Sequence, residues 1–211
     1  MGFQLVIVGI DPGITGAIAV LADGAFRLFH DIPTRVTRTE RNEVDGGRLA
    51  DLLQSELEVP QYADARWLVA LEYVNAMPPK DRGSASAPCP HCGRKDEPKG
   101  MGATSAFSFG AGWGRVQGVL ESMRMPYELV TAQSWKSKVG LLKTPKDYVR
   151  TRAAQLYPTS APYLKLKKHT GRADALMLAH HLWQRERAPI DAQRRIESRV
   201  SAMPGATVEL F

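Results

Sequence analysis

Residues 7–20 read IVGIDPGITGAIAV, two apolar runs separated by one acidic residue and a Pro-Gly turn. Continuous runs of Val, Ile and Ala are typical of strands buried on both faces, so the stretch predicts two central strands of one sheet. Asp11 then stands where the first strand leaves the core. Because an unpaired charge beside a core is costly, this carboxylate either accepts hydrogen bonds within its own turn or binds a cation.

The bulk composition predicts a cytoplasmic protein of one domain, or of one domain with a sizeable insertion. The chain has 211 residues, is 44% hydrophobic and has two cysteines. No apolar run approaches the roughly 18 residues of a membrane span, and the first residues lack the pattern of a secretion signal. Two cysteines are too few for a secreted disulfide scaffold. We expect one domain over residues 1–187 and a poorly packed C-terminal tail over residues 188–211.

Hydrophobic periodicity predicts an α/β fold. After the first strands, the chain contains polar segments and segments in which apolar residues recur at helical spacing. An irregular segment rich in Pro and Gly covers residues 76–104. A Thr-Pro-Lys-Asp sequence at residues 144–147 is typical of a helix start, with Thr144 as the cap. The predicted elements are strands at 3–10, 16–22, 25–30, 67–71 and 127–130, a loop at 31–44, and helices at about 46–58, 105–123, 145–157 and 171–187.

The charge indicates a polyanionic partner, most often nucleic acid. The net charge is +6, although many basic proteins bind no nucleic acid. The positive residues gather late in the chain, among aromatic residues. They include Lys136, Lys138, Lys143, Lys165, Lys167, Lys168 and Arg172.

Two further acids stand in positions comparable with that of Asp11. Glu72 follows the apolar run at residues 67–71, and Asp174 lies near the start of the last predicted helix. Three such carboxylates could converge on one point, and they would then repel one another unless a hard divalent cation lay among them. A pair of such ions can activate water and stabilise the leaving oxygen of a phosphodiester. The alternative is that Glu72 and Asp174 are ordinary solvated acids.

These motifs, in this order, resemble those of RuvC-type Holliday junction resolvases. The similar segments are Ile10-Asp11-Pro12-Gly13, Leu71-Glu72 and Ala173-Asp174-Ala175-Leu176. Intervening segments resemble the phage and prophage branch of that family, namely Ala76-Met77-Pro78, Ser105-Ala106-Phe107-Ser108-Phe109-Gly110 and Val130-Thr131-Ala132-Gln133-Ser134-Trp135-Lys136. The resemblance covers roughly residues 5–185.

The resemblance implies a ribonuclease H-like mixed sheet flanked by helices, with residues 76–104 as an irregular insertion after the fourth strand. It implies a homodimer that binds four-way DNA junctions and related branched DNA and cuts two strands with Mg²⁺ or Mn²⁺. Asp11, Glu72 and Asp174 would be the catalytic metal ligands. The lysines named above and Arg172 would contact DNA. Phe107, Phe109 and Trp113 would form the dimer interface, unless their helix packs only on its own sheet.

One position departs from the family pattern. The family usually has an acid, or in some members a histidine, about one helical turn before the last Asp. Here Gly171 and Thr170 occupy that place, and His169 lies five residues before Asp174. His169 is therefore a candidate catalytic residue. The alternative is that it faces phosphate or contacts the start of the helix.

The sequence Cys89-Pro90-His91-Cys92-Gly93 resembles half of a zinc ribbon. A structural zinc site needs four ligands, and the chain has no second cysteine pair. Cys89 and Cys92 could bind Zn²⁺ together with the same pair of a second chain. The alternative is a degenerate loop with two reduced thiols.

Two other functions fit parts of the pattern. The sugar-kinase, actin and chaperone ATPases share a ribonuclease H-like core, but the short chain, its basic charge and the missing second Gly-rich loop argue against them. A non-catalytic junction-binding protein on a decayed nuclease fold is favoured by Gly171 and Thr170.

Overall fold

A computed structural model describes the backbone of residues 2–74, 91–92 and 102–201. It also describes the side chains of these residues except 103, 146 and 188–201. The strands are β1 (Leu5–Ile10), β2 (Ala17–Ala22), β3 (Ala25–Asp31), β4 (Thr34–Val36), β5 (Asn42–Val44), β6 (Arg66–Tyr73) and β7 (Tyr127–Thr131). The α-helices are α1 (Gly46–Leu57), α2 (Ala103–Ser122), α3 (Ala132–Lys138), α4 (Lys146–Leu156) and α5 (Thr170–Ser201), and short 3₁₀ helices cover Pro60–Tyr62, Pro158–Tyr163 and Lys167–His169.

Five strands form the central mixed sheet, in the order β3-β2-β1-β6-β7. The first three strands are antiparallel, whereas β6 and β7 run parallel to β1. Helices cover both faces, so the α/β class and the mixed sheet expected of a ribonuclease H-like fold are confirmed. Among the described residues, no helix is long and apolar enough to cross a bilayer.

β1 is buried along its whole length, as its apolar sequence predicts. Side chains alternate across a strand, and Val6, Val8 and Ile10 pack with α1 and α2 on one face. Leu5 and Ile7 pack with α4 and α5 on the other. Burial of each such aliphatic side chain stabilises the fold by about 1.5–3 kcal/mol.

Gly9 brings α5 directly onto β1. A Cβ atom built on Gly9 would lie 2.0 Å from the carbonyl oxygen of Ala175 and 2.7 Å from the backbone nitrogen of Ala179. Only a residue without a side chain permits this approach. The contact therefore fixes the height of α5, and of Asp174 at its first turns, above the sheet.

Several predicted boundaries differ from the structure. Residues 31–44, predicted as a loop, contain the β4–β5 hairpin, whose strands are joined by an ion pair between Arg35 and Glu43. Each strand has only three residues, and Val44 is the one buried residue among the six, so the hairpin carries no alternating apolar pattern. The prediction also missed α3, which has only seven residues.

The predicted cap at Thr144 is wrong. The Thr144 hydroxyl donates to the carbonyl of Leu141 at 3.0 Å, and Pro145 occupies the cap position without a side-chain hydrogen bond. The preceding turn therefore uses the hydroxyl that the helix was predicted to need.

The helical backbone continues past residue 187 to Ser201, through most of the predicted tail. Residues 202–211 lie outside the described part of the chain. So does most of the predicted insertion, although residues 103–104 begin α2.

Candidate metal and DNA-cleavage site

Asp11 and Glu72 lie at the ends of two neighbouring parallel strands. Ile10 of β1 is in register with Leu71 of β6, so the two acids are the next residues on adjacent strands. Ile10 and Leu71 face α1 and α2. Alternation therefore turns Asp11 and Glu72 to the opposite face, beneath α3 and α5.

Both carboxyl groups are difficult to ionise in the metal-free protein. Burial, followed by the negative charge of Glu72, raises the pKa of Asp11 to about 6. Burial also raises the pKa of Glu72. The nearby ammonium of Lys136 acts in the opposite direction on both groups. The site thus places two acids where added positive charge would be favourable.

Specific donors orient the two acids. The backbone N–H of Gly13 donates to Oδ1 of Asp11 at 3.3 Å, and the indole N–H of Trp135 donates to Oε1 of Glu72 at 3.2 Å. Asp11 therefore does accept a hydrogen bond within its own Pro-Gly turn. That role leaves Oδ2 for another partner, so turn capping and cation binding are compatible.

Gly171 packs against Asp11 where the family pattern would place a fourth ligand. A Cβ atom at Gly171 would lie 2.6 Å from the carbonyl oxygen of Thr15 and 3.2 Å from Oδ2 of Asp11. The loop after β1 therefore occupies the space that a carboxylate would need. Neither a longer side chain nor a further ligand fits at residue 171 without moving α5.

Asp174 lies one turn further along α5. It is half-buried, and with Thr170, Lys136 and Lys143 it lines a cavity of about 330 Å³. In the described part of the chain, no three Asp, Glu, His or Cys side chains are grouped closely enough to form a ready-made metal site. The structure thus brings Asp11 and Glu72 together, with Asp174 beside a cavity that also contains two lysines.

His169 belongs to a different group of residues. Its Nδ1 accepts from the backbone N–H of Leu166 at 3.3 Å, which closes the turn before α5. Burial, followed by the charges of Arg172 and Lys168, lowers the pKa of His169, while Asp31 acts in the opposite direction. The observed hydrogen bond corresponds to the alternative in which His169 contacts the start of the helix.

The predicted DNA-binding residues differ in their surroundings. Lys136 is half-buried, and its ammonium lies 4.9 Å from the centre of the Trp135 ring. The other five lysines are exposed: Lys138, Lys143, Lys165, Lys167 and Lys168. Arg172 makes a two-bond ion pair with Asp31 at 2.7 and 2.8 Å, so its guanidinium is already engaged within the chain.

The three predicted interface residues also differ. Phe107 and Phe109 are exposed on α2, by 79% and 36%. Trp113 is half-buried, packs edge-on against Tyr73 and donates to the carbonyl of Glu72 at 3.1 Å. Trp113 therefore supports the end of β6 within its own chain.

The predicted zinc pair falls partly outside the described residues. Cys92 is exposed and has a free thiol. Cys89 is not among the described residues. Zinc binding by this pair stays a prediction.

Sequence reasoning missed Trp135 as the donor to Glu72 and Gly171 as the neighbour of Asp11. A general signal existed for Trp135, because a buried indole N–H requires an acceptor. No local pattern identifies which acceptor it finds, since Glu72 lies 63 residues away.

No family model matches this chain, and no curated protein matches it either. Among solved structures, it is similar to Thermus thermophilus RuvC in complex with a Holliday junction substrate, with 16% sequence identity and a TM-score of 0.46. That alignment covers 89% of this chain and 96% of that chain. A second structure of Thermus thermophilus RuvC aligns with 16% identity and a TM-score of 0.44, over 89% of this chain and 97% of that one.

Proposed function

We propose that this protein is a metal-dependent endonuclease that hydrolyses phosphodiester bonds in branched DNA, with the four-way junction as its preferred substrate. The observation that carries the proposal is the pair formed by Asp11 and Glu72. The two acids follow paired residues of parallel strands, and burial raises the pKa of each. Burial of two neighbouring acids lowers the stability of the fold, and a bound cation would offset that loss.

The donor set fits Mg²⁺ or Mn²⁺. Both ions prefer carboxylate oxygens, and a positive ion would offset the burial and the mutual repulsion of the two acids. Asp11 and Glu72 would hold the ion, and we assign Asp174 as the third carboxylate. When bound, the ion would supply activation of a water molecule and stabilisation of the leaving oxygen.

Residues of the chain would prepare this site for DNA. The indole of Trp135 and the backbone of Gly13 hold one oxygen of each acid in place. Lys136 presents an ammonium whose charge reaches both acids. A compact ammonium beside the acids is suited to binding the phosphate that is to be cut. The exposed lysines would extend this contact along the DNA. We place the protein in the cytoplasm, where such DNA occurs.

Two copies of the chain would cut a junction symmetrically, and α2 offers a face for their association. Gly110, Gly114 and Gly118 recur every four residues along α2, and a Cβ atom on any of them would meet no atom of another described residue within 4 Å. Phe107 is exposed beside this face. We assign the face to a homodimer interface, because small residues permit close helix approach and an exposed aromatic ring favours burial.

Cleavage of a labelled synthetic four-way junction in Mg²⁺ and in Mn²⁺ tests the proposal. We expect paired, symmetric cuts by the native protein, and a loss of about 100-fold or more for Asp11→Asn, because the ion loses a negatively charged ligand. Asp51→Asn removes an exposed acid from α1 and is the matched control. Equal cleavage by native protein and Asp11→Asn would contradict the assignment of the site.

A non-catalytic junction-binding protein is the second candidate, favoured by Gly171. At Gly171, the backbone of Thr15 and Gly16 fills the space that a fourth carboxylate would occupy. The same assay separates the two functions. Tight junction binding with no cleavage in either ion would identify the binding protein.

A further inference from the structure

A basic and aromatic surface precedes α5, apart from the carboxylates. It consists of five exposed residues, which we name the Tyr163 surface: Tyr163, Lys165, Leu166, Lys167 and Lys168. Tyr163 is 52% exposed and Leu166 is 53% exposed, although both are large apolar side chains. Exposed apolar groups interleaved with cations are typical of surfaces that bind nucleic acid.

Two arginines hold the backbone of this segment. Arg150 donates to the carbonyl oxygens of Leu164 and Lys165 at 3.3 and 3.2 Å. Arg172 donates to the carbonyl oxygen of Tyr163 at 3.4 Å. Leu164 is buried between its exposed neighbours. The segment is therefore preorganised, and a ligand would not have to order it.

The three lysines take no part in direct ion pairs of the described residues, although Lys167 and Lys168 attract Asp147 and Asp31 from a greater distance. The nearby acids Asp31 and Asp147 each pair with an arginine, at 2.7 and 2.8 Å. None of the three lysines makes an ion pair with any residue that the structure describes. The two arginines therefore form ion pairs within the chain, whereas the ammonium groups of the three lysines can bind phosphates.

Tyr163 is supported from beneath. Its ring centre lies 6.2 Å from that of Phe26 and 6.3 Å from that of Phe29, in tilted and edge-on geometry. These contacts fix the ring while about half of the residue stays in solvent. A fixed, exposed aromatic ring can stack on a base, but the bases inside a linear duplex already stack on both sides.

We propose that the Tyr163 surface binds an unstacked nucleotide at the branch point of the DNA, with Tyr163 against the base and the three lysines against the flanking phosphates. This inference rests on the proposed function, because it assumes a branched DNA substrate. The Tyr163 surface lies close to the proposed cleavage site, as binding at the branch point requires. Lys168 lies two residues before Thr170, which lines the same cavity as Asp174, and Thr170 and Asp174 are separated by about 6 Å of helix.

The test measures binding without cleavage, by fluorescence anisotropy of a four-way junction and a linear duplex in EDTA. Tyr163→Leu retains an apolar cover on Phe26 and Phe29 but has no aromatic face. We expect it to weaken junction binding about tenfold and to leave duplex binding unchanged, since one base–aromatic stack is lost. Tyr163→Phe should bind the junction as the native protein does. A base analogue, 2-aminopurine, placed at the branch point should lose fluorescence on binding native protein and not on binding Tyr163→Leu.

The lysines are tested with a charge-matched pair of variants. Lys167→Gln with Lys168→Gln should weaken binding to both DNAs and lower the slope of log affinity against log salt by about 2. The control is Arg38→Gln with Arg41→Gln, which removes two exposed cations from the turn between β4 and β5, neither of which forms an ion pair with a described residue. Equal losses for the two double variants would indicate general electrostatic attraction and overturn the proposal.

Failure of the inference and failure of the proposed function give different results. Native protein that prefers the junction and cleaves it, together with a Tyr163→Leu variant of native affinity, would overturn only the inference. Native protein without preference for the junction would contradict the proposed function itself. A shift from dimer to monomer in Tyr163→Leu would reassign the surface to a contact between two copies of the chain.

Discussion

Glycines at the contact between α5 and the β1 region and glycines on the outer face of α2 have opposite surroundings. Where α5 meets β1 and the loop after it, Cβ atoms at Gly9 and Gly171 would overlap backbone atoms at 2.0 and 2.6 Å. On the outer face of α2, Cβ atoms at Gly110, Gly114 and Gly118 would meet none of the described residues within 4 Å. The inner face of α2 is filled, because Gly112, Val116 and Leu120 are buried there. The α5 contact is thus completed within one chain, whereas the outer face of α2 has room for a partner.

The largest effect should come from filling the closed contact. Gly9→Ala would push a methyl group into the backbone of α5, and no flexible side chain can move aside. We expect the free energy of unfolding to fall by about 3 kcal/mol, as in a severely overpacked core. Urea denaturation measures this, with Gly110→Ala as the control. Equal stability of the two variants would show that α5 can move without cost.

A second effect concerns the acids enclosed by the same contact. The pKa of Asp11 is raised from 3.8 to about 6 in the folded, metal-free protein. Between pH 3.8 and about 6, Asp11 therefore keeps its proton in the folded state but has lost it in the unfolded state. The free energy of unfolding falls as the pH rises through this range, and it stays lower at higher pH. Asp11→Asn should remove this loss of stability because asparagine does not ionise. The amide oxygen of the asparagine can still accept the hydrogen bond from the backbone N–H of Gly13.

We expect Asp11→Asn to be more stable than native protein by about 2 kcal/mol near pH 8, and nearly equal to it near pH 4. Addition of Mg²⁺ should raise the melting temperature of native protein and not that of the variant. Urea and thermal denaturation in EDTA and in Mg²⁺ measure both effects. A variant that is less stable than native protein at both pH values would mean that the Asp11 charge does not strain the fold.

Filling the open face should have a smaller effect of opposite sign. Gly114→Ala adds a methyl group that meets no atom of the described part of the chain within 4 Å, and it improves helix propensity. Dilute protein should gain about 0.5–1 kcal/mol in unfolding free energy. In a dimer through this face, the same methyl group separates the two helices, so the association constant should fall. Sedimentation at several concentrations, with native protein alongside, separates the two effects. Native protein that stays monomeric at every concentration would contradict the dimer.

The smallest effect should come from His169, just before α5. Its Nδ1 accepts from Leu166, and its pKa is lowered, so it is neutral near pH 7. Because its neighbours are Arg172 and Asp31, we expect His169→Ala to reduce cleavage by about threefold or less, through a loosened start of α5. Single-turnover kinetics on the junction measures this. A tenfold or greater loss with unchanged junction binding would show a direct catalytic role.

The sequence predicted the central strands and most helices because their signals are local. The apolar runs of β1 and β2 and the helical spacing of the apolar residues in α1 each lie within a few residues. The β4–β5 hairpin lacked such a signal, since each strand has three residues and only Val44 is buried among them. The helix cap at Thr144 was mispredicted because a neighbouring turn uses its hydroxyl.

For the site, the sequence by itself identified the acids. Asp11 and Glu72 each follow an apolar run, and a charge at the end of a buried strand is visible without a structure. Only the tertiary structure decided what surrounds them. Trp135 donates to Glu72, which lies 63 residues away in the sequence, and Gly171 at the start of α5 lies against Asp11 at the end of β1. The same structure grouped His169 with Asp31 and Arg172. Strand patterns depend on neighbouring residues, whereas these contacts depend on how α3 and α5 pack, and packing brings together residues that no local pattern relates.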